Sequence, residues 1–88
     1  MKLSVLMPVY NEEDGFEAIL RRVQAVPVEK EIVVVDDCST DATSRILEAI
    51  DLPDLMVFRH HVNQGKGAAI RTAIAAATGD AIIIQDAD

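Results

Sequence analysis

The sequence predicts an α/β fold, a parallel sheet with helices on both faces, and three observations carry that prediction. Strand-like and helix-like segments alternate along residues 1–88, with no repeat and no low-complexity linker. The strand-like segments are continuous apolar runs, as strands buried on both faces require, whereas a half-exposed strand would alternate. Pro27, Pro53 and Gly79 punctuate the helix-like segments near their ends. Right-handed crossovers leave few topologies for such a chain. The expected strand order is 3-2-1-4, with the chain reversing across the sheet between strands 1 and 4.

The elements follow in order. Leu3 to Val9 is apolar apart from Ser4 and reads as the first strand. Asn11 is placed to cap the next helix, with Glu12, Glu13 and Asp14 opposing its dipole. Phe16, Ile19, Leu20, Val23 and Val26 recur at helical spacing until Pro27 stops them. Ile32 to Val35 is the second strand and ends at Asp36 and Asp37. Ser39, Thr40 and Asp41 offer caps, with Asp41 preferred, for a short helix striped by Ile46, Leu47 and Ile50. After Pro53, Leu55 to Arg59 forms the third strand. Lys66 to Thr78 is the third helix, with Ile70, Ala73, Ile74 and Ala77 on its apolar face and Gly79 as its C-cap. Ala81 to Ile84 is the fourth strand, running into Asp86, Ala87 and Asp88.

Eighty-eight residues allow one small domain, 1–88, whose apolar half is Val, Ile, Leu and Ala with few aromatics. A net charge of −7 argues against nucleic acid, which needs clustered Lys and Arg, and suits a divalent cation held between protein and a phosphorylated ligand. The single cysteine, Cys38, cannot close an intrachain disulfide. The apolar run at residues 3–9 is too short to span a membrane and no cleavage site follows, so the chain reads as cytoplasmic.

The chemistry clusters at strand ends. Tyr10, Asn11 and Glu12 follow the first strand, Asp36 and Asp37 the second, Asp86 and Asp88 the fourth. In a parallel sheet those carboxyl ends share one edge, where ligands bind at the reversal. Asp86 and Asp88 are two residues apart, so on extended backbone both point one way, toward a single hard cation completed by water and phosphate oxygens. Asp37 is expected to accept N–H groups of a nucleobase, Asp36 to serve the scaffold. The loop Asn63-Gln64-Gly65-Lys66-Gly67 lacks the spacing of a phosphate-binding loop and reads as a turn far from the reversal. His60 and His61 read as surface residues, and Cys38 as no nucleophile.

These segments together resemble the family 2 glycosyltransferases. Val5-Leu6-Met7-Pro8-Val9-Tyr10-Asn11-Glu12 and Ile32-Val33-Val34-Val35-Asp36-Asp37-Cys38-Ser39-Thr40-Asp41 match its first two motifs. Asn63 to Ala69, then Gly79-Asp80 and Gln85-Asp86-Ala87-Asp88, are similar to the third and fourth. The likeness is greatest to the branch holding dolichol-phosphate mannosyltransferase and bacterial polyprenyl-phosphate glycosyltransferases. It implies a GT-A fold, of which this is the Rossmann-like front half, and a donor that is a GDP- or UDP-sugar. By position, Pro8, Tyr10, Glu12, Val35 and Asp37 would form the nucleoside pocket. Asp86, Ala87 and Asp88 would face the pyrophosphate, with Asp86 and Asp88 on Mg²⁺ or Mn²⁺. The resemblance further implies inversion at the anomeric carbon and a lipid phosphate (polyprenyl or dolichyl) or glycan acceptor. Any catalytic base, acceptor segment or membrane helix would lie after Asp88, placing a longer protein at the cytoplasmic face of a membrane. Residues 1–88 alone are then expected to be inactive as a transferase and, through the open edge of strand 4, prone to form a homodimer.

The sequence departs from the family's pattern at Cys38, where Gly is usual, so that backbone is expected not to need a glycine-only conformation. Two rivals fit less well. A sugar nucleotidyltransferase would carry a Gly- and Arg-rich loop after the first strand, and Pro8 to Glu12 has neither residue. A phospho-acceptor signalling domain would place its acidic pair after strand 1, whereas Asp36 and Asp37 follow strand 2.

Overall fold

The computed structural model describes residues 1–88. Its elements are β1 (Leu3–Val9), α1 (Phe16–Ala25), β2 (Lys30–Asp36), α2 (Thr43–Ala49), β3 (Leu55–Arg59), α3 (Lys66–Ala76) and β4 (Ala81–Ile84). All pairings are parallel and the sheet order is β3-β2-β1-β4, as the sequence predicts.

Both faces of the two central strands are covered, which explains their unbroken apolar runs. Val5, Met7 and Val9 of β1 with Ile32 and Val34 of β2 pack against Phe16 and Leu20 of α1 and Leu47 of α2. The alternate residues Leu6, Val33 and Val35 point the other way, onto Ala69 and Ala73 of α3.

Several local expectations are corrected. The buried stripe of α3 is Ala69 and Ala73, one turn apart, while Ile74 is about half exposed. Only methyl side chains let this helix lie close over β1 and β2, so the bulkier isoleucines turn aside. The C-cap is Ala77, in extended conformation, and not Gly79. Gly79 is needed for close approach instead: a Cβ there would lie 2.5 Å from Ser4 Oγ and 2.8 Å from the Lys2 carbonyl oxygen. Asn11 does not cap α1, which starts from Gly15 with no side-chain cap. Its Oδ1 accepts N–H bonds from Thr40 at 2.7 Å and Asp41 at 3.3 Å, so the residue ties the β1 loop to the β2 loop. The N-cap of α2 is Ala42, with no side-chain cap bond, and not Asp41, although Asp41 Oδ1 accepts the Thr43 N–H at 2.8 Å.

The edge strands are less protected. Ile82, Ile83 and Ile84 of β4 are 46%, 48% and 50% exposed.

Candidate nucleotide-binding cleft

A cleft of about 380 Å³ opens at the carboxyl ends of β1, β2 and β4. Pro8, Val9, Tyr10 and Glu12 come to it from β1 and its loop, Asp37 from the end of β2, and Asp86, Ala87 and Asp88 from the end of β4. The sequence named all of these except Val9. Val35, also named, is fully buried in the α3-facing core and does not line the cleft.

The remaining wall is the loop before α3, with Asn63 and Gly65, and the start of the helix itself, with Lys66 and Ala69. The sequence reading placed this loop far from the reversal, because β3 lies at the far edge. The helix corrects that placement. On its way from β3 to β4, α3 must pass over β2 and β1, so its N-terminus begins above the end of β2.

Asp37 holds the loop there. Its Oδ1 accepts the Gln64 N–H at 2.9 Å and its Oδ2 the Gly65 N–H at 2.8 Å. Gly65 has φ 96° and ψ 163°, a region open essentially to glycine alone. A third donor comes from His60, whose Nδ1 lies 2.8 Å from Asp37 Oδ1. His60 is therefore no surface residue: it is 8% exposed, and its Nε2 lies 2.8 Å from Thr72 Oγ1 on α3. The rule that drew attention to Asp37 also applied to His60, which stands one residue past the end of β3. Burial alone would raise the Asp37 pKa, but hydrogen bonds from Gln64, His60 and Gly65 bring it below the usual value.

Asp36 turns the other way. It is 1% exposed and accepts from the Ser39 N–H at 3.0 Å, the Ser39 hydroxyl at 2.6 Å and the Ser44 hydroxyl, with Arg59 Nε at 3.5 Å. Divergence of two adjacent carboxylates is expected at the end of a strand, and the chain then folds back at Cys38. That residue has φ 65°, in the left-handed region, which favours glycine but is open to other residues.

At the opposite rim Asp86 and Asp88 are exposed while Ala87 between them is buried in the core, the alternation expected of extended backbone. The Lys66 ammonium lies 2.5 Å from Asp86 Oδ1. Its pKa is raised by that bond and by the charge of Asp86, and further by Asp88. The donors at this rim are hard carboxylate oxygens, which fit Mg²⁺ or Mn²⁺. No three His, Cys, Asp or Glu side chains converge on a metal-sized site in the chain. A cation at the rim would thus draw further ligands from water or a bound phosphate.

The family model described as Glycosyl transferase family 2 matches residues 4–88. The undecaprenyl-phosphate 4-deoxy-4-formamido-L-arabinose transferase of Pseudomonas fluorescens (strain Pf0-1) is 39% identical over 94 aligned positions, covering 98% of this chain and 27% of that protein. Among solved structures, S. aureus TarS in complex with UDP superposes with TM-score 0.88 at 34% identity, covering 100% of this chain and 28% of that one. The mannosyltransferase PcManGT from Pyrobaculum calidifontis, in complex with GDP-Man and Mn²⁺, gives 0.89 at 34% identity, covering 98% and 27%. The chain thus spans little more than a quarter of the length of these relatives, and its structural neighbours are GT-A glycosyltransferases. On its cleft, its topology and these matches, the chain belongs to glycosyl transferase family 2.

Proposed function

We propose that this chain is the donor-binding part of an inverting glycosyltransferase that moves a sugar from a nucleoside diphosphate to a polyprenyl or other lipid phosphate. The observation that carries the reading is the cleft, where an exposed aromatic, a partly satisfied buried carboxylate and a pair of exposed carboxylates face one space. The base would stack on Tyr10, between the Pro8 wall and Glu12. It would donate an N–H to Asp37. Asp86 and Asp88 would hold Mg²⁺ or Mn²⁺, with Ala87 against the pyrophosphate. When bound, that ion neutralises the charge that develops on the leaving diphosphate. Lys66 is close enough to add a positive charge on the same side.

The acceptor assignment draws on the named undecaprenyl-phosphate relative and the donor on the UDP and GDP-Man complexes. A lipid phosphate is already anionic, so attack needs no strong general base. Such an acceptor would put the work at a membrane surface, with the cytoplasmic face as the expected side. No helix of the chain is itself long and apolar enough to cross one. The half-exposed isoleucines of the β4 edge support self-association of residues 1–88.

Calorimetric titration of UDP, GDP and their sugars with and without Mn²⁺ is the test. Binding is expected only with the metal, because Asp86 and Asp88 otherwise repel the pyrophosphate. Replacing both with Asn should remove the metal dependence. Equal affinity in EDTA and in Mn²⁺ would overturn the metal role, and binding of a phosphate mimic at Asp37 in place of any nucleotide would favour a phospho-acceptor domain.

A further inference from the structure

We infer that His60 is a positioning residue for the cleft, selecting which oxygen of Asp37 is offered to the ligand. The inference rests on the donor-binding reading, in which Asp37 accepts an N–H of the base.

A carboxylate has about four acceptor positions, two on each oxygen. Oδ1 of Asp37 receives both the Gln64 N–H and His60 Nδ1, so its capacity is filled by the protein. Oδ2 receives only the Gly65 N–H. One acceptor position is left, and it belongs to Oδ2. The carboxylate lines the cleft while being only 3% exposed, so a ligand has little else of it to address.

The direction of the His60 bond is fixed by the carboxylate. An ionised carboxylate only accepts, so Nδ1 carries the proton toward Asp37. In the neutral ring Nε2 is then an acceptor for the Thr72 hydroxyl. Thr72 lies on α3, the helix whose leading loop also grips Asp37. The chain from Thr72 through His60 to Asp37 therefore holds carboxylate and helix in one relation. Without the Nδ1 donor, the carboxylate would be free to rotate and divide its acceptor positions differently between loop and ligand.

Two conservative substitutions separate positioning from mere packing. In His60→Asn the amide nitrogen stands where Nδ1 stood and can still reach Asp37, but nothing reaches Thr72. In His60→Gln the longer amide reaches Thr72 and leaves Asp37 Oδ1 one donor short. Nucleotide affinity is measured by titrating UDP and GDP at saturating Mn²⁺ into the 88-residue chain, with thermal melting of each variant alongside. His60→Gln is expected to bind about tenfold more weakly, the scale of one lost hydrogen bond to a charged group. His60→Asn is expected to stay within about threefold of the parent although both variants melt earlier. Thr72→Val, which keeps the His60 side chain and removes only the hydroxyl that orients it, should lie between them. Equal losses for Asn and Gln, losses that follow melting temperature, or no loss in either would overturn the inference while leaving the donor-binding reading intact. Failure of the parent chain to bind either nucleotide would overturn both.

Discussion

Two buried acidic residues flank the span of β2, Glu31 near its start at 5% exposure and Asp37 just past its end at 3%, and the two ends do different things with the same device. Each catches backbone N–H groups from the chain flanking α3. Glu31 accepts from Thr78, just after the helix, and Asp37 from Gln64 and Gly65, just before it. The helix is thereby pinned to β2 at both ends. At the Glu31 end every acceptor position is filled from within. Oε2 takes the Ser4 hydroxyl and the Thr78 N–H, both at 2.6 Å, and Oε1 takes the Thr78 hydroxyl at 2.8 Å and the Lys2 ammonium at 3.2 Å. Gly79 packs so tightly there that no side chain fits. At the Asp37 end one position stays open, and it opens into the cleft. A saturated carboxylate is a clamp; the same group one donor short is a clamp that can also bind.

The largest effect should fall on the closed end. Burial alone would raise the Glu31 pKa, but bonds from Ser4, Thr78 and Lys2 hold it down at about 2, against 4.5 ordinarily. A folded-state value below the unfolded one means stabilisation that is complete above pH of about 4.5 and lost as pH falls toward about 2. The difference corresponds to roughly 3 kcal/mol. Urea unfolding of Glu31→Gln at neutral pH should show a loss of that order, with a flatter acid profile than the parent. Its folded fraction should bind nucleotide normally. A variant that lost affinity but kept stability would erase the distinction between the two ends.

A smaller and opposite signature is expected at the open end. Asp37→Ala should weaken nucleotide binding by about 1.5–3 kcal/mol, the usual scale for a hydrogen bond to a charged group. Asp36→Ala should lower stability and leave affinity of the folded fraction unchanged, since Asp36 serves Ser39, Ser44 and Arg59. Titration calorimetry beside unfolding curves reads both quantities, and a reversal of the two aspartates would break the assignment.

The smallest effect concerns the turn that parts them. Cys38 sits at φ 65°, a conformation that costs a side chain about 1 kcal/mol relative to glycine. Cys38→Gly should relieve that strain and stabilise by at most about 1 kcal/mol, less the added freedom of the unfolded chain. Unfolding midpoints would show it. A net loss would mean that the Cys38 Sγ contact with the His61 carbonyl oxygen, at 3.5 Å, outweighs the strain.

What the sequence determined by itself was local or periodic. Continuous apolar runs broken by Pro27 and Pro53 defined the strands and helices, and right-handed crossovers ordered them, because both follow from neighbours along the chain. The carboxyl-end rule then picked out Tyr10, Glu12, Asp37, Asp86 and Asp88 without any knowledge of packing. Only the tertiary structure decided what those side chains face. The partners of Asp37 lie 23 to 28 residues further on, at His60, Gln64 and Gly65; the strand-end rule marks His60 as a candidate, but nothing local pairs it or the loop with Asp37. The path of α3 across the sheet brought that loop to the cleft from a strand at the far edge. The left-handed turn at Cys38 and the burial of His60 were equally invisible, since a residue's type states which backbone and surroundings it tolerates, and only the fold imposes one.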